Sequence, residues 1–294
     1  MGQPDSTIPL ARVCSHERET QMKHHILDPI DGSDEAFTAL AYSFATFPDA
    51  THTTLHVINP TKKRYEGPGH DENWLSNAQR EADEIHDTAR EMAERRGILL
   101  GETATRRGRP AENILNYADE HDVDQISVGT KGRSSIDTVF VGSVAKTVIR
   151  RSPTTVMVVR NVDSDDVTPP EQVVVAVDGS DQANEALEFA LSEFPDATIT
   201  ALHVVDPSEV FATTTDADTI LETARQRADD SGSTIRTDSI RGDPSRAIAE
   251  YVAERDVDHV AVGRSGRSGW PRILLGSVAE SLVLRAPEPV TVVS

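Results

Sequence analysis

Residues 26–60 align with residues 173–207 at a constant offset of 147, with 17 identities in 35 positions. Residues 122–160 align with 256–294 at an offset of 134, with 17 identities in 39. A chain that repeats itself in this way consists of two copies of one structural unit, so any fold it adopts must close twice. Its 294 residues suit two domains of ordinary size. The offset changes because the second copy is shorter by about a dozen residues after its second strand. The surplus in the first copy, Thr61–Ser76, is rich in Lys, Gly, Pro and Asp and reads as a loop. Asn161–Pro170 is acidic, ends in two prolines and reads as a linker between domains at 23–160 and 171–294. Residues 1–22 are polar and read as a disordered extension with no secretory signal.

Within each copy, strand and helix patterns alternate. In the second, Val173–Val177 is a β-branched run. Ala183, Ala186, Leu187, Ala190, Leu191 and Phe194 then recur at spacings of three and four, which predicts a helix capped by Ser180. Thr198–Val205, Thr234–Ile240, His259–Val262 and Val290–Val293 supply further strands, with helices over Ala217–Ala228, Ser245–Glu254 and Ser277–Leu284 between them. Continuous apolar strands imply a parallel sheet buried on both faces. Right-handed crossovers make that sheet doubly wound, with ligands at the carboxyl ends of its strands.

Composition narrows the partners. Acidic residues number 49 against 29 basic ones, a net charge of -20, and lysine occurs only at Lys23, Lys62, Lys63, Lys131 and Lys146. An acidic, lysine-poor surface suits a salt-rich, halophilic cytoplasm, where the Debye length at about 1 M salt is roughly 3 Å. It argues against nucleic acid or an anionic membrane as partner. No apolar run is long enough to span a bilayer. Cys14 is the only cysteine, so no intrachain disulfide forms.

After the fourth strand the first copy reads Gly129, Gly132, nine residues, then Gly142-Ser143; the second reads Gly263, Gly266, nine residues, then Gly276-Ser277. A phosphate needs several main-chain amides aimed at one point. Glycine allows that close approach, and a helix start supplies both the amides and a favourable dipole. Arg133 and Arg267 occupy matching positions and suit phosphate oxygens, with Lys131 helping in the first copy alone. Neither loop is a Walker A motif.

With Asp31-Gly32-Ser33 and Asp178-Gly179-Ser180 after the first strands and Leu-His-Val in the second, the chain resembles the universal stress protein family, in its tandem two-domain, ATP-binding form. The resemblance implies two Rossmann-like α/β domains of strand order 3-2-1-4-5, with helices on both faces. The fifth strands would pair internally as a pseudo-dimer that leaves further homo-oligomerisation open. It implies that Asp31 and Asp178 contact the ribose and adenine side and that Val57 and Val204 lie along the adenine. Gly129, Gly132, Gly142 and Ser143, and likewise Gly263, Gly266, Gly276 and Ser277, would cradle the phosphates of ATP, ADP or AMP, with Mg²⁺ as the accompanying ion.

Alternative readings sit beside these. Asp31 and Asp178 also suit a helix start, and His56 and His203 suit structural hydrogen bonding. His24-His25 has no companion ligands for a metal. Asp28 stands where a buried strand should be apolar, so it must find a partner or shift its pKa, and the second site reads as the better formed. The copies share a binding apparatus and not a carboxylate within the loop, where Asp137 faces Pro271. A binding module with at most slow hydrolysis is therefore expected. The alternatives are a nucleotide-hydrolysing or nucleotidyl-transferring enzyme and a ligand-free scaffold for a transporter or regulator.

Overall fold

The computed structural model describes residues 24–60, 74–130, 141–163, 167–207, 214–265 and 275–294. The first half runs β1 (His25–Pro29), α1 (Asp34–Thr46), β2 (Thr51–Ile58), α2 (Trp74–Arg96), β3 (Leu100–Arg107), α3 (Pro110–Glu120), β4 (Gln125–Gly129), α4 (Ser143–Arg151) and β5 (Thr155–Val159). The second repeats that order as β6 (Gln172–Ala176), α5 (Asp181–Glu193), β7 (Thr198–Val205), α6 (Thr214–Asp230), β8 (Arg236–Arg241), α7 (Pro244–Ala253), β9 (His259–Gly263), α8 (Ser277–Arg285) and β10 (Val290–Val293).

Local chemistry sets these boundaries. Ser33 accepts the Ala36 amide at the start of α1, and Ser180 accepts the Ala183 amide at the start of α5. Asp34 and Asp181 then face the positive end of each helix dipole. Gly32 and Gly179 both take φ +82, a left-handed conformation that turns each strand into its helix without Cβ strain. Pro110 and Pro244 open α3 and α7, where the missing amide costs no hydrogen bond. The loop expected over Thr61–Ser76 does not extend to its last three residues. Residues 61–73 lie outside the described set, but Trp74–Ser76 already belong to α2. The glycines and proline that signal a loop end at Gly69, and nothing after it breaks a helix. The amino-terminal extension and residues 164–166 of the linker also lie outside the described residues.

The strands form one sheet of order β3-β2-β1-β4-β5-β10-β9-β6-β7-β8, so each half has the order 3-2-1-4-5. Pairing is parallel within each half, as in His25↔Thr51 and Gln125↔Thr155. The seam between halves is antiparallel, with Val290↔Val158, Thr291↔Met157 and Val292↔Val156. Side-chain alternation places a core cluster that spans both halves on each face of the sheet, and a third cluster, with Ile30, Leu40, Phe44 and Ile85, lies within the first half. Val128, Val158, Val260 and Val292 pack with α3, α4, α7 and α8 on one face. Ile26, Met157, Val173 and Val293 pack with α1, α5 and α6 on the other. Both clusters cross the seam, so the internal pseudo-dimer shares its core. The second face also holds a buried polar chain across the halves: the Tyr42 hydroxyl is hydrogen-bonded to His259 Nδ1 at 2.9 Å, and His259 Nε2 to Thr291 Oγ1 at 2.9 Å. Among the described residues no helix is long and apolar enough to cross a membrane.

Candidate functional site

In each half the chain leaves the first strand toward one edge of the sheet and the fourth strand toward the other. The crevice between those strand ends is where a doubly wound sheet takes a ligand. Asp31 and Asp178 stand there, exposed. Asp31 Oδ1 accepts the Ser33 amide at 3.1 Å and the Ser33 hydroxyl at 2.5 Å; Asp178 Oδ1 accepts the Ser180 amide at 3.0 Å. Both carboxylates therefore organise the turn into the helix. His56 Nδ1 donates to the Ile30 carbonyl at 2.9 Å, and His203 Nδ1 to the Val177 carbonyl at 2.8 Å. The matched histidines fix the backbone that immediately precedes each aspartate, and a carbonyl acceptor sets the Nδ1–H tautomer in both. Val57 and Val204, one residue before the ends of their strands, are half-buried and packed against the α3 and α7 side of the core.

Gly129 and Gly263 have a packing role that sequence spacing did not reveal. A Cβ on Gly129 would collide with the Glu35 carbonyl in the first turn of α1, and one on Gly263 would lie 2.5 Å from the Gln182 carbonyl in α5. These glycines let the fourth strand of each half run against the helix that follows the first. Lys131, Gly132, Arg133, Gly266 and Arg267 lie outside the described residues, as do Asp137 and Pro271.

The helix starts behave differently in the two halves. Gly142 is the N-cap of α4 and Gly276 that of α8, and among the described residues neither helix has a side-chain cap hydrogen bond. Ser143 and Ser277 are exposed in those first turns. Among the described residues, a Cβ on Gly142 would meet nothing within 4 Å. That arrangement fits a phosphate. In the second half the Gly276 amide already donates to the Arg264 carbonyl at 2.7 Å, and no matching bond joins Gly142 to Thr130 in the first. The half that reads as better formed in sequence is thus the one whose glycine amide is engaged by the protein itself.

Two arginines that sequence reasoning did not single out tie the halves together beside these sites. Arg264 Nη2 donates to the Ile149 and Arg150 carbonyls at 3.0 and 3.2 Å, at the end of α4. Arg160 Nη1 donates to the Ala286 carbonyl at 3.0 Å, and its Nη2 to that of Val283, at the end of α8. Each guanidinium is buried and meets the negative end of the other half's last helix. Burial lowers both pKa values, that of Arg160 to about 10, which leaves Arg160 cationic at neutral pH. Arg160 aligns with Ser294 and Arg264 with Thr130, so a repeat alignment hides the equivalence.

Asp28 has found its partner. His52 on β2 lies 2.9 Å from its Oδ2, and the second imidazole nitrogen donates to the Phe47 carbonyl at 3.0 Å. His24 stacks on Phe47 and lies 3.7 Å from Glu193, while His25 bonds Thr53, so the two adjacent histidines diverge. No group of three His, Cys, Asp or Glu able to hold a metal occurs among the described residues.

Comparison with known proteins gives one answer in three ways. The Universal stress protein family profile matches residues 22–160 and 170–294. A universal stress protein of Methanocaldococcus jannaschii is 32% identical over 139 residues, 42% of this chain and 81% of that protein. A putative universal stress protein of Staphylococcus haemolyticus is 32% identical over 151 residues, 50% of this chain and 90% of that one. The crystal structure of a universal stress protein from Archaeoglobus fulgidus superposes with a TM-score of 0.73 at 24% identity, covering 93% of this chain and 99% of that one.

Proposed function

The chain belongs to the universal stress protein family, and from that premise we propose that it is an adenine-nucleotide-binding regulatory module of a stress response, with binding rather than turnover as its function. The observation that carries this reading is the pairing, at one switch point, of the Asp31–Ser33 turn with the start of α4 at Gly142-Ser143, which among the described residues has no side-chain cap and no neighbour within 4 Å of a Cβ on Gly142. First-turn amides and a helix dipole stabilise an anion there, and the Ser143 hydroxyl adds a donor. Arg133 and Lys131 would neutralise the phosphates, Asp31 would orient the ribose, and Val57 would lie along the base. Asp178, Val204, Gly276, Ser277 and Arg267 would repeat these roles in the second half. ATP is the ligand that uses the whole set; ADP or AMP would use part of it. Mg²⁺ would enter with the phosphates and shield their charge.

Mass spectrometry of the small molecules released when the purified protein is denatured tests the reading directly. An adenine nucleotide is the expected result. Added ATP at 100 times its dissociation constant should stabilise the fold by about 2.7 kcal/mol, and Gly142→Val should sharply weaken binding. Absence of any bound nucleotide together with an ATP-independent melting temperature would overturn the reading. Gly276→Val is a poorer probe, because a Cβ there would lie 3.1 Å from the Arg264 carbonyl and 3.2 Å from Ser265 Cα before any ligand arrived.

A further inference from the structure

Arg264 takes part in both halves of the molecule at once. Its main chain follows β9, where its amide donates to the Val293 carbonyl at 2.9 Å and its carbonyl accepts the Gly276 amide at 2.7 Å. Its side chain crosses the seam to the end of α4 and also donates to Ser294 Oγ at 3.3 Å. The helix it reaches is the one that begins at Ser143. In the first half Thr130 occupies the aligned position, and its short side chain turns back to the Val159 carbonyl at 3.4 Å without leaving its own half.

We propose that Arg264 is a positioning residue that latches the second half's nucleotide site shut: its carbonyl holds the Gly276 amide that a phosphate needs, and its guanidinium anchors that carbonyl on the other half's α4. The proposal rests on the nucleotide reading above. An anion that binds the Gly276 amide at the start of α8 must displace the Arg264 carbonyl. A main chain held by a buried guanidinium that donates to two carbonyls and to Ser294 Oγ resists that movement more than one ending in threonine. The two sites are therefore unequal, and the first half fills at lower nucleotide concentration. Linkage makes the effect reciprocal: a nucleotide that opens the second site draws Arg264 away from α4 and changes affinity at the first.

The test uses the full-length protein in three measurements. Native mass spectrometry of an ATP titration should show one nucleotide per chain well before two, with at least a tenfold gap between the steps. Hydrogen exchange at the Gly276 amide, without nucleotide, should quicken at least tenfold in Arg264→Thr and Arg264→Met relative to the parent. With the first site blocked by Gly142→Val, either Arg264 substitution should raise ATP affinity at the second site at least tenfold. Two equal sites in the parent protein, or unchanged Gly276 exchange and unchanged second-site affinity in both variants, would overturn the latch. If no protein in the series binds ATP at all, the nucleotide reading fails and this regulation with it, whatever the exchange data show.

Discussion

Asp28 Oδ2 and His52 Nδ1 lie 2.9 Å apart in a fully buried contact between β1 and β2, under α1. The Phe47 carbonyl can only accept, so His52 Nε2 carries a proton, and a second proton lies between Nδ1 and Oδ2. The pair is net neutral whichever partner holds that proton. The second half has Val175 and Ile199 at the matching positions, and Ala190 and Ala261 where the first has Ser43 and Ser127. One half is thus polar beneath its first helix where the other is apolar.

Breaking the pair should cost far more than removing it. His52→Ile alone leaves a buried carboxylate unpaired and should destabilise the first half by about 3–5 kcal/mol. Asp28→Val together with His52→Ile restores the second half's chemistry and should be neutral, or stabilising by up to about 4 kcal/mol. Urea unfolding of both single variants and the double variant measures the coupling. Additive effects would show that the contact does not hold the two residues together.

The same pair makes the first half sensitive to alkali. Burial by itself lowers the His52 pKa, but the Asp28 carboxylate and the Phe47 carbonyl outweigh it and hold the imidazole above its ordinary 6.5. Burial raises the Asp28 pKa, against the opposing pull of His52. A histidine raised in the folded state contributes stability that is complete below 6.5 and is lost as pH climbs through the raised value. Asp28→Val/His52→Ile should abolish that alkaline slope, as read from urea midpoints between about pH 6 and 10. An unchanged slope would place the titration elsewhere.

Acid acts on the seam. Burial lowers the His259 pKa to about 3, so the imidazole stays neutral between Tyr42 and Thr291 while its unfolded counterpart protonates. The folded state then loses stability as pH falls from about 6.5 toward 3, at up to about 1.4 kcal/mol per pH unit. Histidine NMR should show one imidazole that does not titrate above about pH 4. His259→Gln, the residue found at Gln125 in the first half, should flatten the acid slope.

Two glycines of the shared motif should separate cleanly. Gly129→Ala drives a Cβ into the main chain of α1 and should cost about 1–3 kcal/mol. Gly142→Ser places a good N-cap residue in open space and should stay within about 0.5 kcal/mol. Thermal unfolding of both variants in nucleotide-free buffer distinguishes them. Equal losses would remove the packing explanation for Gly129.

Salt should stabilise the whole molecule. With a net charge of -20, self-repulsion opposes the compact state until it is screened. Raising KCl from 0.1 to 1 M shortens the Debye length from about 10 to about 3 Å and should lift the melting temperature by roughly 4 °C or more. A flat response would mean that the acidic surface carries no such load.

The fold was readable because the signals behind it are local and occur twice. Ser33 and Ser180 cap helices where the alternation breaks, and the seam of β5 and β10 follows from the family resemblance. The site was readable only as a set of positions. Gly129 looked like a phosphate glycine, yet its packing partner, Glu35, is 94 residues away in sequence and adjacent only in space. The Asp28–His52 match was hidden for the same reason: parallel register, and not sequence spacing, brings them together. Arg160 and Arg264 escaped because they do the same work from positions that do not align.

The antiparallel seam also changes what substitution can accomplish. In an assembly of identical subunits, every replacement appears on both sides of the twofold axis, so neither side can specialise without the other. Here the two sides are encoded separately. A carboxylate–imidazole contact can persist on one flank opposite valine and isoleucine, and an arginine can reach across the axis without meeting its own image. Joined end to end, the repeats behave as an obligate heterodimer whose partners can never exchange or drift from a one-to-one ratio.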